Sequence, residues 1–207
     1  MTLARRCGIQ AAQTQALALR KGHALAVRRF DRYQDSRVHS LSAAVVLRAC
    51  GQDLSNSALA LWLRRKGSGV GIQDQANQDR RELFKRMVFN ILIDNNDDHE
   101  KNHVVQMDDT GCYRLSPAFD VLPDGQTLGF QLMRVGVHGT ETTLVNAMSE
   151  HRLFGLTQEQ AEQAISQVSS CVDDWKTHFK SCGVTDRDID TLTAQIDRPF
   201  LRDQRRQ

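Results

Sequence analysis

An apolar helical stripe that runs straight into a long polar segment limits what this chain can become. Leu83, Met87 and Ile91, with Phe84 and Val88, recur at three- and four-residue steps and predict a helix over about 79–93 with one buried face. The stripe stops at Asp94-Asn95-Asn96-Asp97-Asp98-His99-Glu100-Lys101-Asn102-His103. Val104-Val105-Gln106-Met107 then reads as a strand, and Asp108-Asp109-Thr110-Gly111 as a hairpin turn into Cys112-Tyr113-Arg114-Leu115. Ser116-Pro117 leads on to Ala118-Phe119-Asp120.

The flanks supply mostly helices. A short helix ends near Gly8, and Ala24-Leu25-Ala26-Val27 has the apolar content of a buried strand, with Gly22 making the turn before it. Leu41 to Ala49 predicts a short buried helix capped by Ser40 or Ser42 and ended by Gly51. A second helix covers Ser57 to Lys66, and the glycine-rich stretch Gly67-Ser68-Gly69-Val70-Gly71 reads as a surface loop. Thr157 and Gln160 form a capping box ahead of Ala161, Ala164, Ile165, Val168, Val172, Trp175 and Phe179, with Gly183 as the stop. Thr185 and Asp188 repeat the capping pattern before Ile189, Leu192 and Ile196. Trp62, Phe84, Trp175 and Phe179 fall on these stripes and are expected in the core. The fold class is therefore mainly α with a few short β-strands. No repeat or linker divides the chain, so one domain over 1–207 is expected.

Charge narrows the function little. The 27 basic and 25 acidic residues nearly cancel, which gives no reason to expect direct nucleic-acid or membrane binding. Only the tail is locally basic, at Arg198, Arg202, Arg205 and Arg206, and these charges are expected in solvent. Five scattered cysteines without a Cys-x-x-Cys pair argue against a disulfide framework or a structural zinc site and fit a reducing cytoplasm. The N-terminus has no signal-peptide core, and no segment approaches the roughly 20 apolar residues of a membrane span. A soluble, cytoplasmic protein is the expectation.

The polar segment carries the chemistry. Phosphoryl transfer asks a protein for a carboxylate to orient the attacking hydroxyl and for oxygen ligands to hold magnesium against the phosphates. Asp97 and Asn102 have the D-x-x-x-x-N spacing of a kinase catalytic loop, and Asp120 follows one hairpin later, where a second metal-binding carboxylate belongs. His99 is a candidate brace of that loop or a turn residue bonded to backbone. Lys101 is a candidate to neutralise a transferred phosphate or a solvated lysine. Cys112 has no paired base that would make it a nucleophile. A rival reading takes His99-Glu100-x-x-His103 as a zinc-hydrolase motif with Glu100 as general base, which requires a helix of several turns to aim both imidazoles at one metal.

Met87 to His103, followed by Leu115-Ser116-Pro117-Ala118-Phe119-Asp120-Val121-Leu122-Pro123, resembles the central signature of HipA-like serine/threonine kinases. The resemblance extends through Leu3 to Ile9, Arg29-Phe30-Asp31-Arg32, and Phe154-Gly155-Leu156 as far as Trp175, nearly the whole chain. It implies a protein-kinase-like C-lobe, with 1–36 a hinge and partial remnant of the small lobe and 37–207 the helical lobe. It also implies ATP and Mg2+ as cofactors, Asp97 as catalytic base with His99 and Lys101 beside it, and Asn102 and Asp120 as magnesium ligands. Arg28, Phe30 and Asp31 would form the hinge where adenine docks. The family is similar to toxins of toxin-antitoxin pairs that phosphorylate a serine or threonine of a protein substrate and are restrained by a DNA-binding antitoxin.

One departure qualifies that picture. The 207 residues contain no G-x-G-x-x-G and no strand ending in a phosphate-binding lysine; Lys21 falls in a turn and Lys66 beside the glycine-rich stretch. Electrostatic clamping of the transferred phosphate supplies much of the rate in such enzymes. The chain alone is therefore expected to bind nucleotide weakly without turnover, with the missing lobe on a separate polypeptide or lost with an upstream start. A catalytically silent lobe that only binds an antitoxin or partner is the non-enzymatic alternative.

Overall fold

The computed structural model describes residues 1–67, 75–124 and 129–206. Its elements run α1 (Thr2–Arg6), β1 (Thr14–Ala18), β2 (His23–Val27), β3 (Arg32–Tyr33), β4 (Ser36–Arg37), β5 (Ser40–Ser42), α2 (Ala43–Ala49), α3 (Asn56–Lys66) and α4 (Gln75–Leu92). They continue with β6 (Val104–Met107), β7 (Tyr113–Leu115), α5 (Leu144–Ser149), a 3-10 turn (His151–Phe154), α6 (Gln158–Asp173), α7 (Trp175–Ser181), α8 (Asp186–Ile196) and α9 (Pro199–Arg205). The mainly helical class holds. Ser68 to Gly71 of the glycine-rich stretch lies outside the described residues.

Helix α4 is the spine, packed against α3 on one side and α6 on the other. It begins at Gln75, four residues before the expected start at about 79, and Gln75 and Asp79 lock its first turn through a 2.8 Å Nε2–Oδ1 bond. Leu83, Phe84, Met87, Val88 and Ile91 are all buried, and the Phe84 ring meets Phe154 edge-on at 5.4 Å. Trp175, Trp62 and Phe84 lie in the core as their spacing implies, with Phe179 packed edge-on against Trp175. The Thr157–Gln160 capping box opens α6, and Thr185 caps α8. The C-terminal stripe, which reads as continuous to Phe179, breaks at Asp174, where Arg6 from α1 pairs with the carboxylate between α6 and α7.

Three sequence expectations change. Ala24–Val27 is a strand but not a buried one: β2 pairs with β1 in a two-stranded ribbon, and Leu25 is 63% and Val27 45% exposed. Ser40 to Ser42 is not simply a helix cap; it forms β5, the edge of an antiparallel β5-β6-β7 sheet in which Leu41 faces Val105. The third concerns the basic tail, where Arg202 and Arg206 are exposed as expected but the other two arginines are not solvated charges. Arg205 is buried and bonds Asp173, Asp197 and the Ile196 carbonyl, and Arg198 reaches Asp94. A full-length arginine with several matched acceptors can be buried where a lone charge cannot. Among the described residues, no helix is long and apolar enough to cross a membrane.

Candidate active site

The polar segment is held from below by buried polar contacts. At its entry Asp94 adopts φ 61°, and its carboxylate takes the Asn96 amide at 3.1 Å and the Arg198 guanidinium. Burial pushes the Asp94 carboxyl above the usual carboxylate range, against the opposing pull of Arg198. At its exit the segment is pinned to the start of α2, whose Ala43 and Ala44 amides donate to the His103 and Glu100 carbonyls at 2.7 and 3.2 Å. Arg86 on α4 is buried beneath it and donates to Ser116 O at 2.8 Å, tying the hairpin exit to the helix. Asp79 accepts the Leu115 amide at 2.8 Å, and burial raises its pKa.

On this base Asp97 is exposed, and the Asn102 amide makes a long 3.5 Å contact to the Asp97 carbonyl, which leaves Asn102 Oδ1 as the end open to a cation. Asp120 is exposed at φ 55°, a left-handed turn that aspartate tolerates at modest cost. A cavity of about 640 Å3 lies beside it, lined by Leu25 and Val27 of β2, Arg28, Phe30 and Asp31, and Phe119, Asp120 and Leu122. Asp120 and the three hinge residues that the sequence singles out therefore share one cavity. A much smaller neighbouring cavity is lined by Asn102, and Phe119 and Val121 wall both. Asp97 lines neither; it is joined to the group through Asn102.

Several contacts hold the candidate hinge. Phe30 packs on Phe119 at 5.3 Å between centroids, and Gln106 Nε2 donates to the Phe30 carbonyl at 3.0 Å. Arg29 forms a two-point pair with Asp31 at 2.8 and 2.6 Å, and that bonding holds the Asp31 carboxyl down to about 2. His99 Nδ1 accepts the Lys101 amide at 3.2 Å, the bonding of a turn residue, and Lys101 itself is exposed.

Sequence reasoning missed the hairpin wall of the cavity, Gln106 behind the hinge, and the Asp94–Arg198 tie. The first was legible as the alternation of Leu25 and Val27; the other two join residues too distant in sequence to show any spacing. The zinc reading fails on geometry. Residues 93–103 hold no helix, the His103 ring faces Asp98 at 3.0 Å, and Glu100 pairs with Arg48.

A helical lobe with this loop, hairpin and hinge defines a protein-kinase-like C-lobe. The chain belongs to the HipA family: the model of the HipA-like C-terminal domain matches residues 1–175. It is 27% identical over 172 residues to Y4dM of Sinorhizobium fredii (strain NBRC 101917 / NGR234), a kinase by provisional name, covering 77% of this chain and 39% of that one. HipA of Shewanella oneidensis MR-1, solved with HipB and operator DNA, superposes with a TM-score of 0.73 at 16% identity, covering 99% of this chain and 52% of that one. The proinflammatory kinase CtkA of Helicobacter pylori superposes at 0.51 and 11% identity, over 84% and 72% of the two chains. The chain thus spans about half or less of the length of Y4dM and of the Shewanella HipA.

Proposed function

We propose that this chain is the catalytic lobe of a serine/threonine protein kinase, and that it acts on a protein hydroxyl with Mg-ATP. The observation that carries the reading is that Asp120 and the Arg28–Asp31 hinge line one cavity whose wall, Phe119 and Val121, is shared with Asn102. The donor set fits the group: an amide oxygen and a carboxylate are hard ligands suited to magnesium, and the apolar slot of Leu25, Val27, Phe30 and Leu122 suits a flat base. Bound Mg-ATP would supply the transferable phosphoryl group and a cation to balance its charge.

The protein's own part is positional. Asn102 Oδ1 and the Asp120 carboxylate hold the metal side, Phe30 and its neighbours orient the base, and the exposed Asp97 carboxylate accepts the proton of an incoming hydroxyl. Lys101, exposed beside it, balances negative charge on the transferred group, and His99 holds the turn. The likeness to a HipA solved with HipB and operator DNA extends the partner class to a DNA-binding antitoxin, and the near-balanced charge of this chain gives no reason to expect it to contact nucleic acid itself.

A nucleotide titration of the purified chain tests the reading. Binding should strengthen with Mg2+, and Asp120→Ala should weaken it about tenfold in Mg2+, a change of about 1.4 kcal/mol, while leaving metal-free binding unchanged. Nucleotide binding indifferent to both Mg2+ and Asp120→Ala would sink it. Because no strand ending in a phosphate-binding lysine and no G-x-G-x-x-G loop stands in the 207 residues, turnover by the chain alone is expected to be negligible. Robust phosphorylation of a protein substrate by the purified chain would overturn that second expectation.

A further inference from the structure

We propose that Asp98 and His103 form a positioning pair that sets the spacing of Asp97 and Asn102, a role that rests on the kinase reading above. The two pairs interleave along the chain: Asp98 directly follows Asp97, and His103 directly follows Asn102. They also face opposite ways. Asp98 is 6% and His103 3% exposed, whereas Asp97 is exposed and Asn102 half-buried. His103 Nε2 lies 3.0 Å from Asp98 Oδ1, so an imidazole N–H donates to the carboxylate beneath the loop and closes it from inside. Above this closure the two site residues are linked by the 3.5 Å contact of Asn102 Nδ2 to Asp97 O, too long to fix a geometry by itself.

The inner pair is itself anchored. Arg86, buried in α4, lies close enough to Asp98 to feel its charge and donates to the Gln10 and Ser116 carbonyls. The His103 carbonyl accepts the Ala43 amide at the start of α2. Asp98, His103, Asn102 and Arg86 line one small cavity together with Asn90, and His103 joins the backbone of Asn102 directly, which links the inner pair to the base of Asn102. Partners that orient ligand side chains in this way commonly change metal affinity by about 10- to 100-fold when removed.

The test compares His103→Ala, His103→Gln and Asp98→Asn with wild type in two measurements. The first is the Mg2+ concentration at half-maximal nucleotide binding, set against metal-free nucleotide affinity. The second is the side-chain amide resonance of Asn102 in a nitrogen–proton NMR spectrum. His103→Ala should raise the Mg2+ midpoint about tenfold, leave metal-free affinity unchanged and shift the Asn102 amide. His103→Gln, whose amide N–H reaches where Nε2 does, should restore both. If His103→Ala does not fold, Asp98→Asn carries the comparison, with a smaller shift in the same direction. An unmoved Asn102 amide and Mg2+ midpoint in folded Asp98→Asn and His103 variants, while Asn102→Ala still raises the midpoint, would defeat the positioning pair and leave the kinase reading standing. If Asn102→Ala and Asp120→Ala also leave the Mg2+ dependence untouched, the kinase reading fails and the pair's role falls with it.

Discussion

The two walls of the candidate site are built on opposite principles. The wall from Asp94 to Asp120 rests on α4, and three buried polar pairs tie it down: Asp79 with Leu115 N, Arg86 with Ser116 O, Asp98 with His103. The opposite wall is a two-stranded ribbon whose Leu25 and Val27 face an open cavity. One wall gets its geometry from burial, where each unmet polar group costs free energy and so restricts the arrangement. The other has little burial to hold it, and its apolar side chains are available to a ligand. A chain built this way should lose stability from changes on the first wall and ligand affinity from changes on the second.

The largest expected effect lies under the first wall. Phe84→Ala removes a fully buried ring packed on Phe154 and should cost about 3–5 kcal/mol of unfolding free energy, read from urea midpoints. Next comes Arg198→Met, which leaves Asp94 without its cation; the loss should be about 2 kcal/mol near neutral pH. Its pH dependence has a fixed sign. The Asp94 pKa is raised in the folded state, so its favourable contribution is present below the ordinary 3.8 and lost as pH rises through the folded value. Arg198 limits that loss, so the variant's deficit should grow between pH 4 and 7. A deficit that stays constant across this range would mean that Arg198 acts by packing alone. On the second wall, Leu25→Ser should change stability by no more than about 0.5 kcal/mol. The same variant should weaken nucleotide binding several-fold in a titration. Equal losses of stability in Phe84→Ala and Leu25→Ser would dissolve the distinction between the walls.

The same contrast separates the features that are legible in the sequence from those that are not. Helices α3, α4, α6 and α8 announce themselves because burial of one face imposes a 3.6-residue period, and caps such as Thr157–Gln160 mark their ends. The candidates Asp97, Asn102 and Asp120 stand out in the sequence because the proposed phosphoryl transfer asks for those residue types in that order, and the fold brings Asp120 to the cavity of Phe30 and Asp31. The hidden features depend on long-range pairing. Nothing near Arg198 reveals that it reaches Asp94 across 104 positions, so its tail reads as solvated charge. The apolar run Ala24–Val27 reads as buried because periodicity reports which side chains share a face but not whether anything covers that face.

The smallest effect asks whether the exposed wall is ordered where it meets the hinge. Asp31 is held down to about 2 chiefly by its bonds to Arg29, although both lie near solvent, where such pairs add little stability. A depressed carboxyl contributes above its ordinary 3.8 and loses that contribution only as pH falls through its folded value. Carboxyl NMR should therefore find Asp31 still ionised at pH 3, and Arg29→Ala should return it toward 3.8 with no detectable change in the unfolding midpoint. A normal Asp31 titration in the intact chain would mean that the two-point pair is not maintained in solution. The hinge would then belong with the loosely held ribbon, and the nucleotide would have to supply the order that the pair does not.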